Sequence, residues 1–163
     1  MLNLSGFKFI SMAKKSAGIL FYRFKNELPE VLLVHPGGPF WTKKDLGAWS
    51  VPKGEFENDE EPLAAAIREV KEELGFEAAG EFIGLAPAKQ KSGKIIYTWA
   101  LMQDFDADHI SSNTFEMEWP PNSGKTIIIP EVDKAGWFSI EEARDKIIPG
   151  QVPILDSLLV ELR

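Results

Sequence analysis

The chain has 163 residues, a formal charge of −7 and no cysteine. That length suits one domain with a real core. The missing cysteines exclude disulfides, thiol catalysis and cysteine-held zinc, and fit a reducing, cytoplasmic setting. Residues 1–16 read as an N-terminal extension, with Met12 as a second possible start. MLNLSGFKFIS lacks the sustained apolar run of a signal or membrane segment. A single domain is expected over 17–163.

Ala17 to Phe24 is β-rich, and Val31 to His35 is a second short apolar run. Glu27 to Glu30 is read as the turn of a hairpin between them. Pro36-Gly37-Gly38-Pro39 is a rigid turn. Phe40 to Leu46 is a loop, aromatic and then basic, and Trp49 to Val51 is a short extended piece. After the central helix described below, Glu77 to Leu85 reads as a strand and Ala86 to Gly93 as a loop. Ile95 to Met102 is the most strongly β stretch, and Gln103 to Asn113 is a polar loop. Phe115 to Trp119 alternates, Pro120 to Gly124 breaks the chain, and Thr126 to Ile129 is a short strand. Val132 to Phe138 leads to a last strand. Ser139 with Glu142 forms a capping box for a helix to about Ile147. A final amphipathic helix carries Ile154, Leu155, Leu158, Leu159 and Leu162. Strands around a central helix, with later helices, give an α/β or α+β domain.

Residues 54–76, GEFENDEEPLAAAIREVKEELGF, are the centre of the chain. Leu63, Ile67, Val70 and Leu74 make one helical apolar stripe, and Glu69, Glu72 and Glu73 lie on another face. Asn58 or Asp59 is the expected N-cap, with acidic residues in the first turn, and Gly75 suits a left-handed C-cap. The segment holds eight acidic residues and two basic ones, so nearly all the chain's negative charge is focused there. Carboxylates at the negative end of a helix oppose its dipole and repel one another. A divalent cation turns that repulsion into attraction, and such hard oxygen donors suit Mg²⁺ or Mn²⁺. A solvated acidic face is the alternative. No broad basic surface for duplex nucleic acid is present.

The segment reads G-x5-E-x7-R-E-U-x-E-E-x-G-U, with U apolar, from Gly54 to Phe76. This resembles the Nudix box of the Nudix hydrolases. The resemblance implies an α/β/α sandwich with a mixed β-sheet, in which the box forms loop-helix-loop. It also implies a hydrolase that cleaves a nucleoside diphosphate linked to another group, with Mg²⁺ or Mn²⁺. Carried over by position, Glu69, Glu72 and Glu73 are metal ligands, with the Lys53 carbonyl as a further one. Glu69 is also the candidate general base. Arg68 orients carboxylates, Glu60 braces the loop against the helix, and Gly54 and Gly75 shape the box. One more glutamate is expected from a later loop: Glu131 first, with Glu116 and Glu118 as rivals.

Lys53 is a candidate phosphate contact, with Lys43, Lys44, Lys89 and Lys94 near the mouth. Phe40, Trp41, Trp49 and Tyr97 are candidates to stack on a base. His35 and His109 are given no catalytic role. The approach GAWSVPKGE resembles both dinucleoside-polyphosphate hydrolases and nucleoside-triphosphate pyrophosphohydrolases. The tyrosine common in the former is missing where expected, since residues 92–94 are Ser-Gly-Lys. The proline common in ADP-ribose enzymes is missing there too. The expected substrate is a dinucleoside polyphosphate, of the diadenosine tetraphosphate type, or a nucleoside triphosphate. ADP-ribose or a nucleotide sugar is the alternative, and a non-catalytic nucleotide sensor is an alternative of another class. Oligomeric state is not legible.

Overall fold

A computed structural model describes residues 14–163. The expected extension therefore lies mostly outside the described residues, and the first strand already begins at Lys15. The main sheet has strands β1 (Lys15–Lys25), β2 (Leu28–Pro36), β3 (Lys53–Glu55), β4 (Ile83–Gly84), β5 (Ala88–Lys89), β6 (Ile95–Met102) and β9 (Val132–Ser139). A separate hairpin pairs β7 (Thr114–Glu118) with β8 (Thr126–Pro130). The helices are α1 (Pro62–Leu74), α2 (Ile140–Lys146) and α3 (Val152–Glu161).

The central path of the sheet runs β4-β6-β1-β2-β9, with β3 paired to β1 and β5 to β6. Only β1 and β6 run parallel, so the sheet is mixed. Alternation along β1 and β2 divides the core. Ile19, Phe21, Leu32 and Val34 face α1 through Ala65, Ala66, Val70 and Leu74. Leu20, Tyr22, Val31 and Leu33 face α2 and α3 through Ala143, Ile154, Leu155 and Leu158. Both faces of these strands are buried, which is why they read as unbroken apolar runs. The result is the expected α/β/α sandwich.

Three expectations need correction. The first hairpin turns at Asn26-Glu27, both at positive φ (51° and 68°), and Leu28 already belongs to β2. Consecutive positive φ values mark the primed turn that matches strand twist. Glu77 to Leu85 is a strand only over Ile83–Gly84. Gly80 at φ 142° interrupts it, and only Ala78 and Leu85 are fully buried. The 86–93 segment contains the two-residue β5 rather than being all loop.

Candidate active site

Helix α1 begins later than expected. Its N-cap is Glu61, whose carboxylate accepts from the Ala64 N–H at 3.0 Å, not Asn58 or Asp59. Pro62 fills the first turn, which holds no acidic residue. The acidic run before it forms a loop instead, and this frees Glu60 to reach back. Arg68 grips Glu60 through Nε at 2.8 Å and Nη2 at 2.9 Å. Its Nη1 donates to Glu69 at 2.8 Å and to Glu72 at 3.2 Å. One guanidinium thus ties the loop to the helix and holds two carboxylates.

The buried face of α1 is centred on Ala65, Ala66, Val70 and Leu74, with Leu63 and Ile67 only half-buried. Alanines let the helix approach β1 and β3 closely, and this turns Glu69 inward. Glu69 is 8% exposed. Its carboxylate lies against Gly54, where a Cβ would stand 1.9 Å from Glu69 Cδ and Oε2. Glycine at the start of the box is therefore a space requirement. Glu73 accepts from the backbone N–H of Lys53 at 3.2 Å. Gly75 closes the helix at φ 83°, in the left-handed region, with its N–H donated to the Lys71 carbonyl at 2.9 Å.

The end of α1 is fastened to the loop that carries Glu131. The Asn113 N–H donates to the Glu72 carbonyl at 2.7 Å, and the Glu131 N–H donates to the Asn113 carbonyl at 2.8 Å. Ser112 Oγ accepts from the Val132 N–H at 3.0 Å. Two backbone bonds in series set Glu131 beside the helix carboxylates. Lys53, Glu73 and Glu131 line one cleft of about 160 Å³, with Trp41 on its wall. Ser50 and Val51 complete that wall. Buried Gln151 holds this strap, accepting from the Val51 N–H at 3.0 Å and donating to Ser50 Oγ at 3.0 Å.

The charges are strained. Burial pushes the Glu73 carboxyl up to about 8, against the pull of Lys53. Burial also raises Glu69, opposed by Arg68 and reinforced by Glu72. Glu131 is raised by burial and then by the charge of Glu72. Lys53 is lowered by burial, against the stabilising charge of Glu73. The hydrogen bonds it donates to Glu60 hold the Arg68 guanidinium protonated. Two cations do not neutralise this many buried carboxylates, and an added divalent cation would relieve all of them together. Among the described residues no three carboxylates yet converge on one point. Glu69 and Glu72 turn to Arg68, and Glu73 to the Lys53 N–H.

The family model for the NUDIX domain matches residues 12–158. The chain belongs to the Nudix family. Its relatives include the human (Homo sapiens) diphosphoinositol polyphosphate phosphohydrolase NUDT4B, 29% identical over 92% of this chain and 71% of that protein. The CTP pyrophosphohydrolase of Escherichia coli (strain K12) is 30% identical over 69% of this chain and 72% of its own. Among solved structures, a C. elegans Ap4A hydrolase binary complex superposes with a TM-score of 0.62 at 21% identity, covering 90% of this chain and 97% of that one. The NUDIX domain of Shewanella oneidensis NrtR, complexed with ADP ribose, gives 0.64 at 12% identity, each chain fully covered. These two likenesses concern the fold.

Within this Nudix site, the structure brings together Lys53, Gly54, Glu60, Arg68, Glu69, Glu72, Glu73 and Glu131. It sets other expected contacts elsewhere. Trp49 is buried in the core beneath α2, edge-on to Phe138, with its N–H donated to Asp45 at 2.8 Å. Tyr97 packs on Phe56. Neither lines the cleft, because both sit on strand segments whose side chains are claimed by packing. Glu116 and Glu118 lie on the exposed hairpin, and Glu118 is engaged by the Asn122 N–H. Lys43 is exposed on its loop, and Lys94 pairs with Glu55 at 3.1 Å. Trp41 does line the cleft, whereas Phe40 does not and packs edge-to-face on Trp41. Sequence reading missed Asn113, which positions the site through its backbone groups, and Ser112 and Gln151, which do so through their side chains. It also missed the tie from His35, whose ring nitrogens lie 2.7 Å from the Lys44 carbonyl and 2.8 Å from Asp133. A histidine directly after an apolar strand was the one visible signal.

Proposed function

We propose that this Nudix hydrolase, which acts on pyrophosphate bonds, cleaves a nucleoside diphosphate linked to another group. The substrate is a dinucleoside polyphosphate of the diadenosine tetraphosphate type or a nucleoside triphosphate, cleaved in the cytoplasm. The observation that carries this reading is the mutual crowding of Glu69, Glu72, Glu73 and Glu131, with Lys53 beside Glu73 and Arg68 beside Glu69 and Glu72 as the nearby positive charges. Glu69, Glu72, Glu73 and Glu131, with the Lys53 carbonyl, would hold Mg²⁺ or Mn²⁺. Bound there, the cation supplies charge neutralisation for phosphate oxygens and acidifies water.

The chain's own groups do the rest. Glu69 uses Oε1 for Arg68, and burial raises its basicity, so it is suited to take a proton from water. Arg68 fixes Glu69 and Glu72, and Glu60 fixes Arg68. The Lys53 ammonium, in the same cleft, binds a phosphate oxygen. Among the described residues, Lys53 is the single basic one lining that cleft. An inositol ring bearing many phosphates needs a far more basic mouth, and this favours a nucleotide. The test is a product analysis with Mg²⁺ or Mn²⁺ on diadenosine polyphosphates, nucleoside triphosphates, ADP-ribose and a diphosphoinositol polyphosphate. ATP plus AMP from the tetraphosphate, or a monophosphate plus pyrophosphate from a triphosphate, is expected. Turnover of the inositol compound alone would sink the proposal.

A further inference from the structure

Trp41 is a wall of two clefts. On one side is the acidic cleft with Lys53, Glu73 and Glu131. On the other is a second space of about 270 Å³, walled by Phe40 and Trp41 and, opposite them, by Phe115, Glu116, Met117 and Ile129 of the β7–β8 hairpin. A molecule whose phosphates occupy the first cleft therefore meets the second with its next group.

The hairpin is built to present an apolar face there. Phe115 pairs across with Ile129 and Met117 with Ile127, while Glu116 pairs with Ile128. Strand alternation turns Phe115 and Met117 to one face and Glu116 to the other. The burial agrees: Ile129 is buried against Gly38, whereas Ile128 is 70% exposed on the outer side. The facing loop is held in place. Trp41 N–H donates to the Gly38 carbonyl at 3.2 Å, Lys44 N–H to the Trp41 carbonyl at 2.9 Å, and His35 clasps the Lys44 carbonyl. Phe40 and Trp41 meet edge-to-face at 5.1 Å, and Lys44 Nζ lies 3.6 Å over the Phe40 ring. Yet Phe40 remains 54% exposed and Phe115 43% exposed. Two aromatic rings on opposite walls are thus left uncovered beside a phosphate-sized cleft.

We propose that this second cleft is the base subsite, with the hairpin residues Phe115 and Met117 as its specificity-determining wall. This rests on the nucleotide reading above. The occupant is the flat, uncharged ring of the nucleoside, which covers apolar surface on both walls. The residues lining this space are apolar apart from Glu116. Selection is accordingly chiefly by ring area, with purines bound better than pyrimidines.

The experiment is steady-state kinetics of the full metal-loaded chain and of Phe115→Ala, Phe115→Tyr and Met117→Ser, with ATP, GTP, CTP and UTP. Competition by inorganic tripolyphosphate reports the phosphate cleft alone. Loss of one stacking wall raises KM for ATP and GTP roughly tenfold. The rise is smaller for CTP and UTP, kcat changes little, and Phe115→Tyr restores KM. The tripolyphosphate inhibition constant stays put. An unchanged KM in Phe115→Ala, or a rise shared equally by tripolyphosphate, overturns the subsite and leaves the nucleotide reading standing. If the unaltered chain turns over no nucleotide at all, the reading itself fails, and the subsite with it.

Discussion

Replacing Gly54 by alanine is the sharpest perturbation the site offers. Gly54 does not sit at positive φ, so the backbone itself accepts a side chain. The new methyl would meet Glu69 instead, at 1.9 Å from Cδ and Oε2 and 2.4 Å from Oε1. Restoring ordinary contact at 3.4 Å requires the carboxylate to retreat by about 1.5 Å. That displaces the carboxylate from its 2.8 Å bond with Arg68. A misplacement of about 1 Å at a reacting group costs on the order of 10²-fold in rate. Crowding of this kind destabilises a fold by about 1–3 kcal/mol. For a chain of this size that lowers Tm by roughly 2–12 °C. The assay is kcat and Tm for Gly54→Ala, Glu69→Ala and the double variant. Because Glu69→Ala deletes the clashing atoms, the double variant should regain most of the lost Tm and none of the activity. Additive losses in Tm, or unaltered kcat in Gly54→Ala, would refute the packing of Gly54 on Glu69.

Other expectations follow from the same geometry. Arg68→Lys cannot reproduce a fork that reaches Glu60, Glu69 and Glu72 together; kcat should fall at least tenfold, while Tm, governed by a half-exposed ion pair worth about 0–1 kcal/mol, barely moves. Gln151→Leu strands the buried Val51 N–H, at a cost of about 1–3 kcal/mol, measurable by urea unfolding. Glu73 holds its proton from its ordinary value of 4.5 up to about 8 in the fold. The folded chain binds more protons than the unfolded one across that window, so metal-free stability should fall as pH rises through it. Added Mn²⁺ requires the deprotonated carboxylate, so its stabilising shift in Tm should grow over the same window; a shift independent of pH would count against Glu73 as a ligand.

The fold was legible wherever local pattern and burial coincide. The doubly buried strands β1 and β2 are continuous apolar runs, and Ser139 caps α2 by accepting from the Glu142 N–H at 3.1 Å. The spacing of the box, from Gly54 to Gly75, was legible because each residue meets its partner within one loop and one helix. The start of α1 was not. Asn58 and Asp59 are better intrinsic caps than Glu61, but Glu60 is held back by Arg68 and Pro62 fixes the first turn. Trp49 and Tyr97 show a second limit: an aromatic residue beside a box can stack on a ligand or fill a core, and only tertiary packing decides. The tether through Asn113 leaves no trace in composition, since it uses backbone groups that every residue owns. The paired clefts at Trp41 depend on a hairpin more than seventy residues away.

The most direct test is the rate of pyrophosphate-bond hydrolysis by the unaltered chain, Glu69→Gln and Glu73→Gln, titrated with Mn²⁺ on diadenosine tetraphosphate and ATP. The carboxylate site predicts a metal-dependent rate in the unaltered chain. It predicts a loss of kcat of at least 10²-fold in Glu69→Gln, and a Mn²⁺ requirement displaced to higher concentration in Glu73→Gln. Hydrolysis that persists undiminished in both variants, or that ignores the metal, would contradict it.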